Sequence, residues 1–260
     1  MEEKQNGTEI MNKGKNTAVT AAIIGVSLII CTIIMMISLI SYKKQSNSNG
    51  ITATGSASCD FESDLIVWRG SFSAYGETTT SAYNTIKRDA EKIKEYLVDN
   101  GISEEEMVFS SVNISKHFIS NYNDEGNYVG DEQDGYDLYQ NVIITSTDID
   151  KVEKISRDIT ALIQSGVEFT SESPEYYYTK LDELKLSLIE DATANAKERI
   201  DIMADASGSR IGTLVNANLG IFQITAQNSA SEDYSYGGTF NTSSRYKTAT
   251  ITVKLNYTSK

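Results

Sequence analysis

The chain has 260 residues, of which 36 are acidic and 23 basic, so its formal net charge at pH 7 is −13. A surface this acidic repels phosphate backbones and anionic headgroups, which argues against nucleic-acid binding and peripheral binding to anionic lipid. The charge can also serve only to keep the protein soluble. One histidine and two cysteines leave few residues for a zinc site or a nucleophile–base pair, so metalloenzymes and hydrolases are disfavoured.

The N-terminal part of the chain contains a long apolar segment. Residues 18–40 read AVTAAIIGVSLIICTIIMMISLI, without a charged side chain. As a helix this segment would be about 35 Å long, which is enough to cross the apolar core of a bilayer. The segment is too long for the apolar part of a cleaved signal peptide. The alternative to a membrane span is a helix buried in the protein core. We predict a cytoplasmic tail (1–17), a transmembrane helix (18–42) and a linker (43–50).

The orientation of this span is predicted from cysteine usage, because the lysines on its two sides are nearly balanced. Cys31 lies within the span, so Cys59 is alone in the rest of the chain and no intramolecular disulfide can form there. A domain outside the cytosol either pairs its cysteines or has few of them. We expect a single-pass protein of the cell membrane with its C-terminal domain outside the cytoplasm.

The first half of that domain alternates between strand and helix patterns. Apolar residues at every second position predict strands, with a long polar loop before the last of them. A repeat of apolar residues every three or four positions, from Ala82 to Leu97, predicts a helix that ends at Asn100–Gly101. Residues Thr78–Thr80 are candidates for its N-cap. The strands are predicted at 51–58, 64–75, 108–118 and 136–145.

The second half begins with a sequence that resembles a capping box, Thr147–Asp150, and predicts a helix up to Gly166. A short strand is expected at 167–170. Ser173–Pro174 predicts the start of a third helix, which ends at Gly208. The apolar face of this helix narrows to alanine, which predicts close approach to a sheet or a neighbouring helix. Two further strands are predicted at 211–224 and 249–257, with a Ser/Gly/Tyr-rich loop between them.

These elements predict an α+β fold in the order ββαββαβαββ, preceded by one transmembrane helix. Its centre matches a ferredoxin-like split βαβ core, in which helices cover one face of a mostly antiparallel sheet. Since no linker interrupts residues 51–258, we expect one domain. The last two strands either extend the sheet or pair with its first strand.

Few residues are candidates for chemistry. His117 falls on the polar side of its predicted strand, where an exposed imidazole without a role is the default expectation. Cys59 has no basic neighbour in the sequence that would activate its thiol, although a lone thiol could cross-link two chains. We therefore predict no catalytic residue, no cofactor-binding residue and no metal ligand.

The polar segment after His117 offers one weak metal motif. Five of its residues follow the spacing of an EF-hand calcium loop, but an EF-hand requires helices on both sides, and the flanking residues alternate as strands do. The alternative is an acidic, solvated hairpin loop with turn-forming residues. Whether the segment 119–135 binds calcium stays open on these grounds. The five residues are Asn121, Asn123, Glu125, Gly126 and Glu132.

Several short patterns occur together in a characteristic order. They are Gly76-Glu-Thr78 with Ala82, Asn100-Gly101-Ile102, Asp148-Ile-Asp-Lys-Val152, and Ala192-x3-Ala196-x7-Ala204-x3-Gly208-x3-Gly212. Over residues 51–258 this order resembles the SIMPL domain (DUF541) family, which includes bacterial periplasmic immunogenic proteins. The chain departs from the family pattern at Trp68, at Arg69 and in an insert from Ile119 to Gly135.

The resemblance implies an extracytoplasmic, non-enzymatic domain, with ring- or channel-like self-assembly in some members and an association with oxidative or envelope stress. It implies no catalytic residues, because the family has no agreed ones. We expect a membrane-anchored, self-assembling or binding module of the cell envelope, whose partners are the membrane, further copies of itself and an unknown envelope protein or ligand. The alternative is an envelope receptor for a small ligand or glycan. A receptor predicts a concave aromatic pocket, whereas assembly predicts uncovered apolar edges.

Overall fold

The computed structural model describes residues 25–40, 50–229 and 236–259. Residues 25–40 form helix α1, and no helix in the described ranges combines the length and the apolar character needed to cross a membrane. The predicted tail, the two ends of the predicted span and nearly all of the predicted linker lie outside the described residues.

The remaining described residues form eleven strands, three α-helices and two 3-10 helices. The helices are α2 (Thr79–Asp99), α3 (Ile149–Asp158) and α4 (Leu181–Ser207), with the 3-10 helices η1 (Glu104–Glu106) and η2 (Ile159–Ser165). The strands are β1 (Gly50–Glu62), β2 (Leu65–Gly76), β3 (Met107–Phe109), β4 (Asn113–Tyr122), β5 (Tyr128–Ser146), β6 (Phe169–Ser171), β7 (Glu175–Tyr177), β8 (Ile211–Leu219), β9 (Gln223–Ala226), β10 (Thr239–Phe240) and β11 (Tyr246–Ser259). The mixture confirms the predicted α+β class.

The chain divides into two compact units. The larger unit contains residues 54–198 and 218–254, and the smaller one contains the described residues up to Ala53 together with 199–217 and 255–259. The core and the candidate sites described below lie within the larger unit.

A six-stranded antiparallel sheet forms the centre of the larger unit. Strands β2 and β5 pair along eleven rungs, from Ile66–Ser146 to Gly76–Tyr136. β6 and β7 pair with the other edge of β2, while β3 and β4 follow one another along the other edge of β5. The predicted antiparallel pairing is therefore present in this sheet.

Helices α2 and α3 cover one face of this sheet and enclose its core. Trp68 and Phe72 on β2 are buried there, and the indole Nε1 of Trp68 donates a hydrogen bond to Ser171 Oγ at 3.0 Å. Helix α2 is positioned by its ends, as its sequence predicts. The Thr78 side chain accepts from the backbone N–H of Ser81, and Gly101 adopts a left-handed φ of +88° just after the helix.

A second sheet has the strand order β1-β11-β9-β10, with β8 also paired to β11. The last strand therefore pairs with the first, as one of the two predicted arrangements requires. Within the larger unit, Gly55 of β1 lies against α4, because a Cβ on Gly55 would be 2.7 Å from Ala196 Cα. This contact confirms the close approach predicted from the alanine-rich face.

Four predictions about single elements are wrong. The third helix begins at Leu181 instead of Pro174, because residues 175–177 pair with β2 as strand β7. The predicted strand 108–118 is divided into β3 and β4, and the predicted strand 211–224 into β8 and β9. The supposed polar loop before residue 136 is strand structure, since β5 begins at Tyr128 and β4 pairs with it to Tyr122.

Candidate functional site

Strands β4 and β5 extend beyond the rest of their sheet. Strand β2 ends at the rung Gly76–Tyr136, whereas β4 and β5 continue to pair as far as Tyr122–Tyr128. We call residues 117–135 the hairpin arm. Its turn is closed by Asn123, whose side-chain oxygen accepts hydrogen bonds from two backbone N–H groups of residues 125 and 127. This Asx-type turn fixes the register of the arm.

The hairpin arm exposes large apolar and aromatic side chains. Phe118 is 54 % exposed, Tyr122 64 % and Val129 62 %. Ile119 and Tyr128 are exposed as well, and the rings of Tyr122 and Tyr128 meet edge to face at 6.0 Å. Scattered apolar residues are ordinary on protein surfaces, but a group of them on one projecting ribbon is typical of an interaction surface.

An apolar groove lies beside the place where β4 begins. It has a volume of 430 Å³. It is open to the N-terminus of α2, whose first turn carries no acidic residue. The lining residues are Thr79, Thr80, Tyr83, Val112, Ile114 and Leu138.

His117 lies at the base of the hairpin arm between two carboxylates. Its Nδ1 is 2.8 Å from Asp137 Oδ2, and its Nε2 is 3.8 Å from Asp134 Oδ1. The Tyr75 ring packs edge-on against the imidazole at 5.1 Å, and its hydroxyl donates to the Asp134 carbonyl at 3.1 Å. The hydrogen bond to Asp137 raises the pKa of His117 above its usual value.

A polar cleft of 620 Å³ lies at the N-terminus of α3. Its cation is Arg245, which contacts Glu62 at 2.6 Å and Asp150 at 2.5 Å. These bonds raise the pKa of Arg245, so the guanidinium stays charged. The lining residues are Glu62, Ser63, Asp64, Thr147, Asp148, Ile149, Asp150, Thr179 and Arg245.

Most charged groups of this cleft are bound to one another. Asp64 accepts hydrogen bonds from the backbone N–H and the hydroxyl of Thr179, at 2.7 and 2.6 Å. Asp148 caps α3 and pairs with Lys151 at 2.9 Å, which lowers the pKa of the carboxyl. Since these carboxylates already have partners, the geometry indicates a structural junction more than a binding site.

We expect Arg245→Met to lower the free energy of unfolding by about 1–2 kcal/mol, because it leaves Glu62, Asp150 and Glu153 close together without their shared cation. Urea unfolding followed by the fluorescence of Trp68, the single tryptophan, measures the change. The control is Lys185→Met, which removes an exposed pair with Asp182 and should change stability by less than about 0.5 kcal/mol. Equal effects of the two substitutions would contradict the role assigned to Arg245.

A protein-family model matches most of the chain. Residues 51–258 match SIMPL, described as a protein of unknown function (DUF541). The chain belongs to the SIMPL family. No curated protein matches it. The match covers the domain predicted from the sequence and confirms the family resemblance, and the family description assigns no activity to this SIMPL protein.

The structure places the candidate residues of this SIMPL domain as follows. His117 is partly exposed and has two carboxylate neighbours, which the sequence did not predict. The expectation that the imidazole has no role stays a prediction. Cys59 is half-buried on β1, and its Sγ lies 3.4 Å from the Asp60 carbonyl. Both residues belong to regular strands.

The five residues with EF-hand spacing lie along the hairpin arm, which is a paired ribbon. Asn121 donates to Glu132 across the two strands at 3.2 Å, and Asn123 closes the turn. Among the residues described, no group of three or more His, Cys, Asp or Glu is arranged to hold a metal ion. The hairpin alternative for this segment therefore describes its geometry.

Sequence reasoning named a hairpin loop at residues 119–135 only as an alternative and did not predict that its two sides are paired strands. A signal was present, because Asn123-Asp-Glu-Gly126-Asn127 is rich in turn-forming residues and has aromatic residues on both sides. It also missed Asp134 and Asp137 as partners of His117. Their role depends on the strand register, which short-range patterns do not provide.

Proposed function

We propose that this SIMPL protein is a membrane-anchored module that self-associates outside the cytoplasm and carries out no catalysis. The observation that supports self-association is the uncovered hairpin arm. Phe118 and Tyr122 are exposed on the same side of β4, so both would lose contact with water if that side of the arm were placed against a second copy.

The extension of the hairpin arm beyond β2 favours binding to another molecule. Beyond Gly76 the arm consists of β4 and β5 alone, and an isolated two-stranded hairpin is at best marginally stable in water. Contact with another molecule would add the packing that a third strand supplies elsewhere in the sheet. The arm is therefore the part of the domain that gains most from association.

The apolar groove provides a matching surface on the second copy. The turn of the arm carries Asp124 and Glu125, and negative charge is favoured at a helix N-terminus such as that of α2. The rung Tyr122–Tyr128 lies eight residues from Ile114, about 26 Å along the strand, so the tip of an extended arm is too far away to enter its own groove. Contact of tip with groove is then head-to-tail, and repetition gives a ring or a filament.

The proposed anchor rests on the uncharged segment 18–40. Location outside the cytoplasm is supported by the low cysteine content and by the family resemblance, and a link to envelope stress by the resemblance alone. Protease treatment of intact cells tests the orientation. Cleavage within residues 51–258 on intact cells supports the proposal, and protection until the cells are broken contradicts it.

A receptor for a small ligand or glycan is less well supported. The lining of the polar cleft contains no aromatic residue among those described, and its carboxylates are bound to Arg245, Thr179 and Lys151. An enzyme would need an acid, a base and a nucleophile that converge in one cleft. The pair of His117 and Asp137 comes without a hydroxyl or thiol bonded to the imidazole among the described residues.

We expect the double substitution of Phe118→Thr with Tyr122→Thr to reduce the association constant about 30-fold, because a contact surface loses two large side chains. Threonine keeps a high strand propensity, so the arm itself should still form. The measurement is the molar mass of the full-length protein in a mild detergent, determined by size exclusion with light scattering over a range of concentrations.

The matched control is Leu214→Thr with Val215→Thr, which removes two half-exposed apolar side chains from β8. We expect it to associate like the unsubstituted chain. A strict monomer at every concentration would contradict the proposed function. Equal weakening by both double variants would contradict the assignment to the hairpin arm.

A further inference from the structure

The hairpin arm begins at the rung next to the end of strand β2. His117 pairs with Gly135 immediately beyond the last rung of β2, Gly76–Tyr136. The register shifts between His117 and Phe118, and Asp134 is the extra residue on β5. Such a bulge marks a change of strand direction. His117 therefore lies where the three-stranded part of the sheet becomes a two-stranded ribbon.

The imidazole bridges the two sides of this rung. Asp137, 2.8 Å from Nδ1, belongs to the part of β5 that still pairs with β2. Asp134, 3.8 Å from Nε2, belongs to the arm. Tyr75 comes from the end of β2 and closes the cluster, since its ring lies so near Gly135 that an added Cβ would be 2.5 Å from Tyr75 Cε2.

The two carboxylates require the charged form of the imidazole. A neutral imidazole has one N–H and can donate to one of them, whereas an imidazolium donates from both nitrogens. Asp134 Oδ1 is buried and has no hydrogen-bond partner among the described residues. Protonation of His117 places a cationic N–H 3.8 Å from this oxygen, which is ion-pair distance, and loss of that proton leaves two carboxylates without a positive charge between them.

The other ionisable groups around the cluster do not replace this cation. Tyr75 is a neutral donor, and the pKa of its hydroxyl is raised by burial and by Asp134. Glu77 adds a further negative charge near Tyr75. Lys116 precedes His117 on β4, and adjacent side chains of a strand point to opposite faces.

We propose that His117 is a protonation latch that holds the base of the hairpin arm in place, so that acidification favours self-association through the arm. The second half of this proposal rests on the proposed function, whereas the latch itself does not.

The pH range follows from the sign of the shift. Because the pKa of His117 is raised above 6.5 by its bond to Asp137, the latch is fully engaged below that value. Its contribution is lost as the pH rises through the folded-state pKa. The hairpin arm should therefore be most protected from hydrogen exchange in mildly acidic solution and less protected in alkaline solution.

Hydrogen exchange of the full-length protein tests the latch. Protection factors of peptides within 117–135, corrected for intrinsic exchange, should be about fivefold higher at about pH 5.5 than at about pH 9. Peptides from α2 provide the internal reference. His117→Gln should give low protection at both pH values, and His117→Arg, which keeps a cation at this position, should restore protection at both.

The single histidine also allows a direct titration, because its imidazole gives one Cε1–H resonance in the NMR spectrum. Asp137→Asn should lower the pKa read from that resonance. Arm protection that is equal at both pH values, or high in His117→Gln, would overturn the latch. If protection follows pH while the molar mass from light scattering does not, the latch is retained and self-association through the arm is overturned.

Discussion

Gly55→Ala is expected to lower the free energy of unfolding by about 3 kcal/mol. The new Cβ would overlap backbone atoms of Ala192 and Ala196 on α4. An added methyl group in a packed core costs about 1–3 kcal/mol of stability. A helix backbone moves less easily than a side chain, so we expect a cost of about 3 kcal/mol. The contact is also fixed in place by a hydrogen bond from the Ser56 backbone N–H to Asn195 Oδ1 at 3.2 Å.

Urea unfolding of the two chains, followed by fluorescence and by circular dichroism, measures this loss. Ser56→Ala is the matched control, because its exposed side chain adds no atom against α4. We expect the control to stay within about 0.5 kcal/mol of the unsubstituted chain. If Gly55→Ala unfolds at the same urea concentration as Ser56→Ala, the close approach of β1 to α4 is not a constraint on the fold.

The same contact illustrates what the sequence predicts well. The helical face with Ala192 and Ala196 predicts close approach from local sequence alone. Small side chains at helical spacing permit close approach to any neighbouring element. Helix ends such as Thr78 and Gly101 are predicted for the same reason, since a cap depends on residues within one turn. The sequence does not name Gly55 as the partner, because β1 is about 140 residues away along the chain.

Elements whose structure depends on distant pairing were predicted poorly. Ser173–Pro174 satisfies the local rules for a helix start, yet residues 175–177 form a strand because the rungs Val67–Glu175 and Leu65–Tyr177 add them to the edge of β2. Tertiary pairing here overrides a local preference. The division into two sheets likewise depends on which strands pair, and short-range sequence patterns do not predict strand pairing.

The paired strands of the hairpin arm were not predicted, for a different reason. Alternation between apolar and polar residues signals a strand with one buried face, and both faces of the arm are exposed. Without a buried face, Glu132 and Asp134 can occupy a strand as freely as Phe118, so the segment reads as a loop. The surface that supports the proposed function is thus the part of the domain that binary patterning cannot detect.

Lys247→Met is expected to raise the free energy of unfolding at pH 7 by about 2 kcal/mol. Lys247 is 1 % exposed, its Nζ donates to the Tyr176 carbonyl, and the Phe240 ring lies 5.9 Å away. Burial lowers its pKa from 10.5 to about 8. That shift means that burial destabilises the charged form by about 3 kcal/mol, which the substitution removes. The substitution also removes the hydrogen bond to Tyr176, which costs about 1 kcal/mol.

The pH dependence distinguishes this explanation from a simple gain in packing. Because the folded-state pKa lies below the unfolded value, the unfolded chain binds more protons between about pH 8 and pH 10.5, and stability rises with pH in that range. Tyrosines with raised pKa values, such as Tyr176 at about 12, act in the opposite direction once unfolded tyrosines ionise near pH 10, so only the difference between two chains isolates Lys247. Unfolding in urea from pH 7 to pH 9.5 should show the rise in Lys254→Met, an exposed control on the same strand, and a flatter profile in Lys247→Met. A Lys247→Met protein that is less stable at pH 7 and keeps the rise would mean that the buried ammonium is compensated by its surroundings.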